Sequence, residues 1–198
     1  MSEAVARQSI PRTPDQYLEE ERQASFKSEY AHGEVFAMSG GAVAHNLVAT
    51  NLTAEIHQQL KGRPCLAFNS DMKVWVGEAE TFAYPDVSAL CGDVTYLDEK
   101  KDVITNPSFI AEVLSPSTEA YDLGGKFRSY ARLASFQEYL LLSQFEYHVE
   151  LRQRNADGSW HLHFFTSPED RIPLKSIGCE LVLGDLYDKV AFEPMPEG

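Results

Sequence analysis

The chain has 198 residues, 43% hydrophobic and 11% aromatic, enough for one real core and suited to a single compact unit. Asp plus Glu number 30 against 17 Lys plus Arg, a formal net charge of −13, so the whole-molecule field repels polyanions and disfavours tight, sequence-blind nucleic-acid binding. A local basic strip or bound metal ions can overcome that average, because phosphate contacts are local and the Debye length is about 8 Å at physiological salt.

Residues 1–12 lack periodicity and are expected to form a loose tail. Thr13-Pro14-Asp15 then supplies an N-cap, an N1 proline and an acidic first turn for a helix to about Ala24. Tyr30 to Met38 reads as a turn at His32-Gly33 followed by a short strand, which Ser39-Gly40-Gly41 breaks. From Ala42 to Leu60 the positions Leu47, Leu52, Ile56 and Leu60 keep mostly helical spacing, and Gly62 with Pro64 stops that element. Strands are predicted at about 65–76, 83–90 and 108–115. A second helix opens at Pro116-Ser117-Thr118 and runs to about Leu133, with Leu123, Phe127, Tyr130 and Ala131 facing the sheet.

Gly124-Gly125 sits awkwardly in that helix. Each glycine costs on the order of 1 kcal/mol relative to alanine, so either the helix starts after them or some group must approach the backbone closely. Residues 136–143 and 146–154 read as strands, and Asn155-Ala156-Asp157-Gly158 turns into a further strand over 159–166. A single domain is therefore expected over 13–190, mainly β in its last third, with a frayed tail at 191–198.

Cys65, Cys91 and Cys179 are widely spaced, without Cys-x-x-Cys or Cys-plus-His zinc spacing, and fit reduced thiols in a cytoplasmic protein. Residues 1–20 contain no apolar h-region. No stretch approaches the roughly 18 apolar residues needed to span a bilayer, so neither export by a recognisable signal nor a membrane role is expected.

Glu112 is the most informative residue. It lies in Phe109-Ile110-Ala111-Glu112-Val113-Leu114, too continuously apolar for a half-wet strand, where an unpaired charge costs several kcal/mol or more. Asp86 repeats the oddity in Phe82-Ala83-Tyr84-Pro85-Asp86-Val87-Ser88-Ala89-Leu90. Two carboxylates on neighbouring buried strands repel unless something positive lies between them, and a divalent cation is the economical candidate.

With Tyr84-Pro85-Asp86-Val87, Glu112-Val113-Leu114-Ser115-Pro116-Ser117-Thr118, then Asp122, Lys126 and Tyr130, the chain resembles the Uma-two family of bacterial proteins. That family is part of the PD-(D/E)XK restriction-endonuclease-like superfamily. Gly33-Glu34, Met38-Ser39 and His45 match the family's opening pattern, and the resemblance covers about residues 13–190. It implies an α/β fold, a restriction-endonuclease-like mixed β-sheet flanked by helices, here with additional C-terminal β-strands. One position departs from the superfamily pattern. The lysine expected two residues after the second carboxylate, on the same strand face, is Leu114, and Lys126 on the following helix is its replacement by analogy.

The implied activity is that of a metal-dependent endonuclease, hydrolysing phosphodiester bonds in DNA by a metal-activated water. Asp86, Glu112 and the Val113 carbonyl would hold Mg²⁺ or Mn²⁺, and Lys126 would position the water and stabilise the pentacovalent charge. Glu34 could orient a metal-bound water or complete a second site. His45 could contact a phosphate or transfer a proton. Arg128 and Arg132, spaced i, i+4, could extend a basic stripe to phosphates.

Each residue also has a structural reading. Asp122 and Lys126 form a common solvated i, i+4 pair; Glu112 can be a satisfied structural carboxylate; Asp86 can be a strand-entry cap; Glu34 can be a surface strand residue; outward arginines commonly serve solubility. The alternative function is a catalytically weakened nuclease-like fold acting as a binding or assembly module. A homodimer through the β-rich C-terminal portion is expected, because the two strands of a duplex are related by pseudo-symmetry.

Overall fold

The computed structural model describes residues 11–38 and 40–194; the expected tails at 1–10 and 195–198, and Ser39 of the opening pattern, lie outside the described residues. Among the described residues the strands are β1 (Ser28–Ala31), β2 (Glu34–Ala37), β3 (Cys65–Asn69), β4 (Lys73–Val76), β5 (Thr81–Ala83), β6 (Val87–Cys91), β7 (Val103–Ile104), β8 (Phe109–Leu114), β9 (Glu138–Ser143), β10 (Val149–Arg154), β11 (Trp160–Phe165), β12 (Arg171–Leu174) and β13 (Cys179–Val182). The α-helices are α1 (Pro14–Glu21), α2 (Val43–Leu60), α3 (Phe127–Tyr130) and α4 (Leu183–Leu186).

A six-stranded sheet of order β11-β10-β9-β8-β6-β3 is antiparallel except for the central β8–β9 pair. A parallel pair needs a crossover connection, and the helical segment between β8 and β9 supplies it. A five-stranded sheet of order β2-β1-β5-β4-β7 and the small β12-β13 pair complete the mixed α/β architecture.

β8 explains the layering. Its successive residues point to opposite faces. Phe109, Ala111 and Val113 join the core beneath α2, where Val48, Leu52, Ile56 and Leu60 are buried, whereas Ile110 joins the opposite core with Tyr130, Phe136, Tyr139 and Leu141. Glu112 has the parity of Ile110 and Leu114, so it points into that second layer, toward the crossover. The buried face of α2 begins at Val48, one residue after the expected Leu47, which is only half-buried.

α1 begins as expected, with a reciprocal capping box between Thr13 and Gln16, and the following turn uses His32 at φ 50° and Gly33 at φ 92°. Three expected elements are subdivided. The long strand over 65–76 turns between β3 and β4. Tyr84-Pro85-Asp86 breaks the strand over 83–90, because proline cannot donate to a ladder. The expected helix over 116–133 is a π-helical turn, Tyr121–Lys126, followed by the short α3. Both Arg12 and Phe192, in the expected loose ends, make defined contacts: Arg12 N–H donates to the Gly33 carbonyl, and the Phe192 ring packs on Tyr147 and Tyr187.

The expectation of reduced thiols is corrected for two of the three cysteines. Cys65 and Cys91 form a disulfide, leaving Cys179 free and buried. Sequence spacing gives no warning of it, because the antiparallel register of β3 and β6 sets the two cysteines directly opposite across 26 residues of chain. Among the described residues no helix is long and apolar enough to cross a membrane. Reduction of this disulfide, or a Cys91→Ser substitution, is expected to lower unfolding stability by about 3 kcal/mol, since the cross-link restricts the unfolded chain. Urea midpoints with and without reductant check this; coincident midpoints contradict it.

Candidate active site

Asp86 immediately precedes β6. The β6–β8 register pairs Val87 with Ala111, so one further step sets Asp86 beside Glu112. Asp86 Oδ2 accepts the Val113 N–H at 2.7 Å, and Asp86 N–H reaches Glu112 Oε2 at 3.4 Å. The proline-led break between β5 and β6 thus fastens one carboxylate to the strand bearing the other.

Lys126 arrives from the crossover. Its Nζ lies 3.2 Å from Glu112 Oε1, 3.2 Å from Glu29 Oε1 and 3.2 Å from Asp122 Oδ1. Glu112 is 3%, Asp122 2% and Lys126 6% exposed, which excludes the solvated-pair reading of Asp122 and Lys126. Tyr130 hydroxyl donates to Glu112 Oε1 at 3.1 Å, leaving Oε2 turned toward Asp86. Leu114, on the same face of β8, packs into the second core. The lysine side chain reaches Glu112 from the neighbouring helix instead.

A π-helical turn makes this reach possible. The wider helix leaves carbonyls displaced from the ordinary ladder, and two are taken up by side chains: Asp122 C=O accepts the Tyr139 hydroxyl at 3.1 Å, and Leu123 C=O accepts Arg152 Nη1 at 2.9 Å. Asp122 and Lys126 then both project inward. Asp122 Oδ1 is close to the ammonium but lacks hydrogen-bond geometry and is buried without a hydrogen-bond partner.

Burial pushes the Glu112 carboxyl well above the usual range. The Lys126 ammonium opposes this, while Asp122, Asp86 and Glu29 add to it. For Lys126 burial favours the neutral amine, but the combined field of Glu112, Glu29 and Asp122 overrides it and raises the pKa, so the group stays an ammonium.

His45, near the start of α2, brings Nε2 within 3.2 Å of Asp86 Oδ1. Burial lowers its pKa, but Asp86, then Asp122 and the Val113 carbonyl, more than reverse that, and the net shift is upward. Its Nδ1 is buried without a partner. The His45 ring therefore sits against the same oxygens expected to hold a cation.

The donor set can be tested against a hard divalent ion. Asp86 and Glu112 offer carboxylate oxygens, and Val113 a carbonyl; among the described residues the cluster's four carboxylates, including Glu29 and Asp122, are met by the Lys126 ammonium and the His45 ring. Oxygen donors with a surplus of negative charge fit Mg²⁺ or Mn²⁺. Among the described residues no three Asp, Glu, His or Cys side chains converge as a ready-made cage, so water would complete the coordination.

Asp86, Glu112, Val113, Lys126 and His45 are thus brought together. Glu34 is not: it is exposed on β2, and the acid this hairpin sends to Lys126 is Glu29 on β1. Glu29 Oε1 also accepts the Tyr84 N–H at 2.9 Å, tying the cluster to the strand before Asp86. Sequence reading placed Asp122 and Tyr130 in the family pattern without giving them a role, and missed Glu29. The signal for Glu29 was the hairpin itself, since a turn at His32-Gly33 requires a strand before it as well as after. Arg128 and Arg132 are exposed, outside the buried cluster.

A family model described as "Uma2: Putative restriction endonuclease" matches residues 14–184. The chain belongs to the Uma2 family. It is 38% identical over 181 residues to "Uncharacterized protein slr1290" of Synechocystis sp. (strain ATCC 27184 / PCC 6803 / Kazusa), covering 91% of this chain and 93% of that relative. It is 39% identical over 150 residues to "Uncharacterized protein sll1609" of the same organism, covering 76% and 85% respectively. The fold is similar to that of a solved protein titled a putative nuclease belonging to DUF820 from Anabaena variabilis ATCC 29413. The TM-score is 0.73 at 19% identity, over 91% of this chain and all of the other. The likeness is one of fold, and Lys126 is carried by the crossover between β8 and β9.

Removing Lys126 leaves three buried carboxylates facing one another. Lys126→Met is expected to cost about 3–5 kcal/mol, whereas Glu112→Gln costs less because it relieves like-charge repulsion. Denaturant unfolding of both variants decides; a Lys126→Met loss below about 1 kcal/mol contradicts the geometry.

Proposed function

We propose that this Uma2 protein is a divalent-metal-dependent endonuclease that hydrolyses phosphodiester bonds in DNA. The observation that carries the reading is the Lys126 ammonium on Glu112, beside Asp86, supplying from a helix the group that Leu114 cannot. Family membership and the fold agree with it.

Asp86, Glu112 and the Val113 carbonyl would hold Mg²⁺ or Mn²⁺. When bound, such an ion supplies the Lewis acid for the phosphate and makes a water acidic enough to attack near neutral pH. The protein's own groups do the rest. Tyr130 and Lys126 hold Glu112 Oε1, so Oε2 keeps its orientation toward Asp86. The Val113 N–H holds Asp86 Oδ2 in the same way. Lys126, charged and pre-positioned in a poorly solvated pocket, can stabilise negative charge developing on the phosphate without reorganising. His45, an imidazolium over a wider pH range than a free histidine, offers a proton at Nε2 next to Asp86.

A second reading, a nuclease-like fold serving as a binding module, is favoured by one observation: both Asp86 oxygens already have partners within the chain, His45 and the Val113 N–H.

Supercoiled plasmid incubated with the protein and Mg²⁺ or Mn²⁺ separates the two. Nicking is expected, lost on chelation and reduced by about 10²-fold or more in Asp86→Ala and in Glu112→Gln. Nicking no faster than that of the double variant Asp86→Ala, Glu112→Ala favours the binding module.

A further inference from the structure

Gly124-Gly125, costly in a helix, is not used by the chemistry above, and the structure gives each glycine a reason. A side chain at 125 would overlap the ring of Tyr121, which lies close against that backbone, and one at 124 would come within 3.3 Å of Arg128 Nη1. The π-helical turn thus carries an aromatic ring and a guanidinium on consecutive glycines. Lys126 Nζ stands 6.0 Å from the Tyr121 ring centroid, so the ring borders the Lys126–Glu112 cluster. On its outer side Tyr121 meets Phe36, ring centroids 6.4 Å apart and planes at 34°. Phe36 lies on β2, the edge strand of its sheet, with all four residues exposed, and is itself 48% exposed. Arg128 is exposed and has no hydrogen-bond or ion-pair partner among the described residues.

We propose that Phe36, Tyr121 and Arg128 form a nucleotide subsite, in which an unpaired base of the substrate strand stacks on the two rings while its phosphate meets the guanidinium. The inference rests on the nuclease reading for its position beside the bond to be cut, and it names the substrate class: single-stranded or locally unpaired nucleic acid. Charge supports the choice. With Asp and Glu outnumbering Lys and Arg by 30 to 17 the chain offers few cations to a phosphate backbone, so contacts to the base must add to the one phosphate contact of Arg128. Base–aromatic stacking is such a contact, and every base has a face to offer. A duplex keeps its bases stacked on one another and cannot use the rings.

Fluorescence anisotropy with a labelled single-stranded oligothymidylate and a hairpin duplex of equal length, in EDTA so that nothing is cut, tests this. The single strand is expected to bind more tightly than the hairpin. Phe36→Ala weakens single-strand binding by roughly 5- to 150-fold, the range for losing one base stack. Phe36→Trp restores it, and Arg128→Gln reduces the slope of log affinity against log salt by about 0.7, one phosphate's share on a single strand. Phe36 is exposed on an edge strand, so the melting temperature of Phe36→Ala should match the wild type, and this control shows that the fold is intact. Equal binding of strand and hairpin, unchanged affinity in Phe36→Ala, or no binding of either probe overturns the subsite. So does a change in sedimentation of Phe36→Ala from dimer to monomer with nucleotide affinity unaltered, which would assign the patch to a second copy of this chain. Single-strand binding in EDTA, with neither the plasmid nor the single strand cut in Mg²⁺ or Mn²⁺, upholds the subsite and removes the nuclease reading, so the two fail separately.

Discussion

One ammonium group organises this molecule. Lys126 Nζ lies equally close to carboxylates from β1, β8 and its own π-helical turn, all largely removed from water. Without the cation, three buried acids would have to be protonated or separated; without the acids, a buried lysine would lose its charge. Each side therefore requires the other. The result joins the five-stranded sheet, the central strand of the six-stranded sheet and the crossover at one point. Glu29 extends the connection to Tyr84 N–H, and so to the proline-led break that delivers Asp86.

Such a cluster is a poor choice for stability alone, because apolar residues of similar size commonly do as well as a buried ion network. What it provides is a fixed surplus of negative charge along the β6–β8 edge, with Glu112 held by one oxygen and Asp86 held by the N–H of Val113. His45 compensates part of that surplus from α2. On the proposed nuclease reading the same features would suit a site that recruits a divalent cation and resists collapse around it. On that reading the departure from the superfamily pattern would be a change of address, with Leu114 filling core on the strand while the ammonium comes from the helix.

Much of this was legible from residue type and order. An acid in a continuously apolar run announces that it has a partner, and Phe109–Leu114 was readable as a buried strand for that reason. The C-terminal hairpin was equally clear, because Asn155-Ala156-Asp157-Gly158 lies between two strand-forming runs. The parts that were not legible depend on register and helix type. Glu29 acquires its role only when β1 pairs with β5. Cys65 and Cys91 meet only when β3 and β6 align. The π-helical turn has no short-range signature beyond two glycines that an α-helix disfavours, and those glycines become intelligible once Tyr121 and Arg128 are seen lying on them.

The most direct test is a crystal structure of the protein soaked in Mn²⁺, using the anomalous signal of the metal. The account predicts a peak between Asp86 and Glu112, about 2.1–2.3 Å from an oxygen of each, with Lys126 Nζ still on Glu112 and His45 moved aside. A map without that peak, with His45 still on Asp86 at saturating Mn²⁺, would contradict it.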